Sequence, residues 1–127
     1  MENKNELVLS SLGHTWILDL DGTILKHNGY KEDDGDTILD GALEFLRSIP
    51  NKDLIIFITS RSEDVKSITE DFLRNNGIRF DHIIYNAPYG ERVLVNDNKP
   101  SGLKMSYSIE SDRDKWCVLK FTIDEKL

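Results

Sequence analysis

With 127 residues, 39% of them hydrophobic, the chain has the length for one compact domain and no room for a second. A formal net charge of −7, with no local run of Lys and Arg against it, argues against a general nucleic-acid partner and allows only a narrow site for one phosphate. Cys117 has no partner for an internal disulfide, no apolar run approaches a membrane span, and Met1-Glu2-Asn3-Lys4-Asn5-Glu6 is too polar for a signal peptide. The expected address is the cytoplasm, with no membrane partner.

No repeat, low-complexity tract or Pro/Gly-rich linker interrupts the chain. Leu7-Val8-Leu9 reads as a short strand, followed by a turn around Gly13. Thr15-Trp16-Ile17-Leu18 is the first strong strand, stopping at Asp19. Over residues 37–49, Ile38, Leu39, Ala42, Leu43, Phe45, Leu46 and Ile49 form a helical stripe that ends before Pro50. Leu54-Ile55-Ile56-Phe57-Ile58 is apolar throughout, the pattern of a parallel strand buried on both faces. A second helix is predicted between Ser60 and Asn76, with Ser60-Arg61-Ser62-Glu63 as its capping box and Gly77 as its stop. His82-Ile83-Ile84-Tyr85 and Arg92-Val93-Leu94-Val95 read as third and fourth strands, with weaker candidates at 105–109 and 118–123. Strand and helix in alternation predict an α/β fold of right-handed βαβ units, which bind ligands beyond the carboxyl ends of their strands.

Those ends carry chemistry. The first strong strand delivers Asp19 and Asp21, the second Thr59, Ser60 and Arg61, the last Asn96 and Asp97 with Lys99 close behind. Hard oxygen donors of this kind suit Mg²⁺, a natural partner of phosphate oxygens. One carboxylate in such a site can attack phosphorus and form an aspartyl-phosphate. A carboxyl two residues on can protonate the leaving oxygen and then activate water. Gly22 permits a sharp turn that brings backbone N–H groups towards phosphate, Thr59 can hydrogen-bond the transferring group, and Lys99 or Arg61 can balance its charge.

Trp16-Ile17-Leu18-Asp19-Leu20-Asp21-Gly22-Thr23 resembles the first motif of the haloacid dehalogenase-like (HAD) superfamily. Ile55-Ile56-Phe57-Ile58-Thr59-Ser60-Arg61 is similar to its second motif, and Val93-Leu94-Val95-Asn96-Asp97 to its fourth, in the family's order. The resemblance implies a three-layer, Rossmann-like parallel sheet with helices on both faces, as a single HAD-like domain over residues 1–127. It implies a phosphatase with Asp19 as nucleophile, Asp21 as general acid/base and Thr59 as phosphate ligand, with Ser60, Gly22, Lys99 and Arg61 also at the phosphate. The Mg²⁺ would sit on Asp19, the Asp21 carbonyl and Asp97.

Two departures stand out. Asn96 replaces the first of two acidic residues often found in the fourth motif. The third-motif cation, usually upstream, has only Arg79 and Arg92 to draw on between residues 78 and 96, so Lys99 is the first choice for it and Arg61 the second. The short stretch between Thr23 and the second strong strand resembles the capless class, with at most a flap at 26–36. Such an open site admits a bulky substrate or is closed by a neighbouring subunit of a homo-oligomer. Residues 91–104 also look like small capless proteins associated with bacterial surface-polysaccharide synthesis, which suggests a sugar phosphate.

Other readings compete. An EF-hand loop would follow a helix and place its glycine further on; a receiver domain would separate its acidic pair from its phosphoacceptor. Ser60 reads equally as a helix cap, Asn96-Asp97 as an Asx-turn, Lys99 as a solvated lysine, and 32–36 as a solvated loop with Asp36 capping the next helix. His14, His27 and His82 lack metal-ligand spacing, though His27 is near enough to the first loop to meet substrate. Against a small-metabolite phosphomonoesterase stand a phosphatase of a nucleic-acid end or protein, and a non-catalytic scaffold that keeps the fold.

Overall fold

The computed structural model describes residues 5–127; residues 1–4 of the polar N-terminus read above lie outside the described part. In chain order the elements are β1 (Glu6–Leu9), β2 (Thr15–Asp19), α1 (Ala42–Ser48), β3 (Leu54–Ile58), α2 (Lys66–Asn75), β4 (His82–Ile84) and β5 (Lys120–Ile123). The result is a small α/β fold with all its strand pairs parallel, divided between two sheets. The larger has the order β2-β3-β4, with Asp19 opposite Ile58 and Ile58 opposite Ile84. The smaller pairs β1 with β5, Leu7 opposite Phe121.

Three sequence expectations change. Residues 92–95 are not a strand, and neither are 105–109. Val93, Leu94 and Val95 are exposed, because the chain leaving β4 turns back over the end of β3 instead of forming a new ladder. Asn86 sits there in the left-handed region (φ 59°), its N–H donates to the Arg61 carbonyl at 2.8 Å, and the Ala87 N–H donates to the Thr59 carbonyl at 3.0 Å. The sheet is also not buried on both faces: Ile55 and Phe57 are enclosed, whereas Ile17 and Ile84 on the opposite face are about half exposed. Of the 118–123 candidate only Lys120–Ile123 forms a strand, and it pairs with β1 rather than joining the larger sheet.

The helices are shorter than their stripes. Ile38 and Leu39 belong to an antiparallel bridge with the first loop, where the Lys26 N–H donates to the Thr37 carbonyl at 2.9 Å and the Leu39 N–H to the Ile24 carbonyl at 2.8 Å. Helix α1 then starts after Gly41, whose φ of 88° a Cβ would strain. Its C-cap Ile49 is extended, as the residue before Pro50 must be. Ser62, not Ser60, caps the second helical segment, its Oγ accepting from the Asp64 N–H at 3.2 Å. Gly77 closes α2 as expected, with the Ile78 N–H donating to the Leu73 carbonyl at 2.9 Å.

An aromatic group joins the two sheets. Phe45 of α1 meets Trp16 of β2 edge-on at 5.5 Å, Phe121 of β5 at 6.1 Å and Trp116 at 4.9 Å. Each such contact contributes roughly 0.5–1.5 kcal/mol beyond area burial. Below them, buried Asp53 accepts from the Trp16 indole N–H and engages His14 Nδ1, each at 2.9 Å. Burial alone would push the Asp53 carboxyl up, but the bonds from Trp16 and His14 outweigh it and hold the carboxyl below its usual range. His14 is thus a structural residue at the amino end of β2, opposite to the rim considered next.

Candidate functional site

The carboxyl ends of β2 and β3 form the rim. Asp19 is the last residue of β2, and the chain beyond it coils tightly: the N–H groups of Thr23, Ile24 and Leu25 all point at the Leu20 carbonyl, at 3.2, 3.0 and 2.9 Å. Gly22 sits at φ 81° and its N–H donates to the Leu25 carbonyl at 2.6 Å. Only glycine takes that conformation without strain, so the expected sharp turn is present. The N–H groups of Gly22, Thr23, Ile24 and Leu25 are not presented to a phosphate, since these four are satisfied inside the loop.

Arg61 determines the rest of the geometry. A guanidinium has five N–H donors, and here each has a partner. Nε and Nη2 donate to Asp21 Oδ2 and Oδ1 at 3.0 and 2.9 Å. Nη1 and Nη2 donate to Asp36 Oδ2 and Oδ1 at 3.0 and 2.7 Å, and Nη1 also to Thr69 Oγ1 at 2.9 Å. The Tyr30 ring lies 4.3 Å from the guanidinium carbon, close enough for a cation–π contact. The Arg61 side chain is 1% exposed and that of Asp36 2%, against 17% for Asp21. Burial would lower the Arg61 pKa, but hydrogen bonds and charge from Asp21 and Asp36 prevail and raise it above its ordinary value. Arg61 therefore has no donor left for phosphate in this arrangement, and both oxygens of Asp21 are engaged. Nor does Asp36 cap α1: the residue at that cap is Gly41, and no side chain bonds there.

Asp19 is differently placed. Its side chain is 38% exposed, with Arg92 Nη1 at 3.1 Å from Oδ1 and the Thr23 hydroxyl donating to Oδ2 at 3.4 Å. Arg92 Nη1 also donates to the Ile58 carbonyl at 3.4 Å, which ties it to the end of β3. As the first residue of a fourth strand, Arg92 would lie at the far end of the sheet from this rim. With no strand there, it reaches the rim. Lys99, preferred for that role, forms no ion pair with Asp19 among the described residues. Its carbonyl instead closes a turn with the Gly102 N–H at 2.9 Å.

Thr59 is fully buried, its Oγ accepting from the Arg61 N–H at 3.1 Å, so it shapes the turn after β3. Ser60 is half-buried beside it, and with the cap role taken by Ser62 it is left at the rim. Asp97 is exposed, and its N–H donates to Asn96 Oδ1 at 2.9 Å, a bond between adjacent residues and not the Asx-turn that Asn96-Asp97 also suggested. Among the described residues no three His, Cys, Asp or Glu side chains gather as metal ligands, so Asp97 does not complete an acidic triad with Asp19 and Asp21. The first loop is held from outside by the C-terminal segment: the Asp114 N–H donates to the Gly22 carbonyl at 2.9 Å and Asp114 Oδ1 accepts from the His27 N–H at 2.6 Å. Asp19 and Thr23 also line a cavity of about 820 Å³, walled largely by apolar residues such as Val8, Ile17, Leu94 and Met105.

Family models, curated proteins and solved structures were all compared with the chain. None matches. The residues missed by sequence reading are Arg92, Asp36 and Tyr30. Arg92 had a signal, being one of two cations in the right interval; the other two became visible only when the flap folded over Arg61.

Proposed function

We propose that this protein is a Mg²⁺-dependent phosphomonoesterase of HAD-like kind, acting through an aspartyl-phosphate on a small phosphorylated metabolite such as a sugar phosphate. The observation that carries the reading is the state of Asp19: a solvent-accessible carboxylate at a parallel-strand carboxyl end, with the Arg92 guanidinium 3.1 Å away. The order of the three motifs supports it, and the neighbouring cavity has the volume for a metabolite. Asp19 and the main-chain carbonyl of Asp21 are hard donors that suit an ion which keeps most of its waters. When bound, Mg²⁺ would neutralise phosphate charge there.

In this reading Asp19 forms a bond to phosphorus as the ester P–O bond breaks, and Asp21 delivers a proton to the departing oxygen. Asp21 then takes a proton from the water that cleaves the aspartyl-phosphate. Each Asp21 oxygen accepts one bond from Arg61 and keeps a second lone pair for the proton in either step. Arg92 balances charge on the transferring group. The address that fits the lone Cys117 is the cytoplasm, and the described residues include no helix long and apolar enough to cross a membrane.

A second reading, a binding or scaffold protein on the same frame, is favoured by one observation: Arg61 grips both oxygens of Asp21, and the N–H groups of Gly22, Thr23, Ile24 and Leu25 bond inside the loop. The acidic charge disfavours a nucleic-acid substrate. A panel of phosphorylated metabolites assayed with Mg²⁺ separates the readings. Turnover that falls about 10⁴-fold or more in Asp19→Asn is expected for a lost nucleophile. No turnover of any substrate, or turnover indifferent to Asp19→Asn, overturns the phosphatase reading.

A further inference from the structure

We infer that Asp36 is a positioning residue of this site, acting through Arg61 to aim the Asp21 carboxylate; the inference rests on the phosphatase reading above. Arg61 presents two edges of one rigid plane. The inner edge, Nε and Nη2, holds both oxygens of Asp21. The outer edge, Nη1 and Nη2, holds both oxygens of Asp36. Because the guanidinium is planar and its donors form a fixed fork, the carboxylate that sets the outer edge also sets the inner one.

Two further contacts remove the remaining freedom. Thr69 of α2 takes the last Nη1 donor at 2.9 Å, and the Tyr30 ring covers the plane at 4.3 Å. Asp36 is almost wholly enclosed, and a buried carboxylate is costly unless a charged partner compensates it. Its partner here is Arg61, so the flap that carries Tyr30 and Asp36 is fastened to the catalytic loop through one side chain. Among the described residues, the hydrogen bonds and ion pair of Asp19 and Arg92 go to Thr23, to the Ile58 carbonyl and to each other, outside this chain of contacts.

That separation predicts a specific kinetic defect. Without the outer edge fixed, Arg61 can rotate to pair with Asp21 in other ways, and the acid is misaimed while the nucleophile is not. Protonating the leaving oxygen matters for an alkyl phosphate, whose alkoxide is a poor leaving group, and little for 4-nitrophenyl phosphate, whose phenolate leaves unaided. The quantity to compare is kcat/KM, which reports phosphoryl transfer to Asp19 and not the later hydrolysis.

The experiment measures kcat/KM of the full chain and of Asp36→Asn on a hexose phosphate and on 4-nitrophenyl phosphate, with Asp19→Asn as the control. Asp36→Asn is expected to lose about tenfold or more on the hexose phosphate and less than about threefold on the aryl ester. Asp36→Glu, which restores the charge on a longer stem, should recover part of the loss. Equal losses on the two substrates, or no loss on either, overturn the inference and leave the phosphatase reading standing. If Asp36→Asn does not fold, Asp36→Glu decides by the same split between substrates. Wild-type protein that turns over neither substrate, nor any other phosphomonoester, overturns the phosphatase reading and this inference with it.

Discussion

Two apolar runs of similar composition end in opposite surroundings. In β3, Ile55 and Phe57 are 1% and 0% exposed; in the segment after β4, Val93 and Val95 are 84% and 89% exposed. β3 lies between two parallel neighbours, β2 and β4, and both its hydrogen-bonding edges are used. The later run has no such neighbour and makes no ladder. Apolar, β-branched composition is a condition for a central strand but does not create one; a partner edge and a covering layer do.

The contrast extends to the charged groups. In the enclosed region the ions are locked in networks that leave little to solvent, as with Arg61 between Asp21 and Asp36. The open segment contributes one reaching cation, Arg92, to an accessible Asp19. Rigidity is concentrated on one side of the rim and access on the other.

The largest test of the contrast is a matched pair of truncations. Phe57→Ala should cost about 3–5 kcal/mol in urea unfolding, as emptying a fully packed aromatic site does, whereas Val95→Ala should stay within about 0.5 kcal/mol. A comparable loss at Val95 would mean that the open segment is packed in solution, and would break the comparison.

A second test concerns the enclosed charges. The folded-state carboxyl of Asp53 is held below its unfolded value, so its contribution is fully present above the ordinary aspartate pKa of about 3.9 and disappears as pH falls through the lower folded value. Unfolding free energy followed from pH 7 down to pH 2 should show this slope in the wild type and lose it in Asp53→Asn. An unchanged slope would remove Asp53 from the network that anchors β2.

At Arg92 the ion pair is more than a third exposed on both sides, so only a small effect on stability is expected. Arg92→Ala should change unfolding free energy by less than about 1 kcal/mol. Its effect on the proposed turnover should be much larger, lowering kcat/KM about a hundredfold. A large stability loss with unchanged turnover would reassign Arg92 to the enclosed side.

Much of the frame was legible in the residues. Strands at 15–18 and 54–58, the helix stop before Pro50 and the Gly77 terminator are local decisions, made by β-propensity, the missing proline N–H and the ease of positive φ in glycine. Asp19 at a strand carboxyl end follows from the same pattern. The partners of the site residues did not follow. Asp36 read as a helix cap because capping is a short-range property, while its bond to Arg61 crosses from flap to rim. Lys99 read as the site cation because a fourth strand was assumed to deliver it.

The parallel α/β frame around β2 and β3 and the acidic loop at its edge are readable from the residues, since both depend on neighbours along the chain. Folding in three dimensions is what leaves the apolar run at 93–95 outside the sheet, shares Arg61 between Asp21 and Asp36, and sets Arg92 against Asp19. Those outcomes depend on which surfaces meet and which charges are enclosed together. Long-range pairing of that kind has no signature in local periodicity.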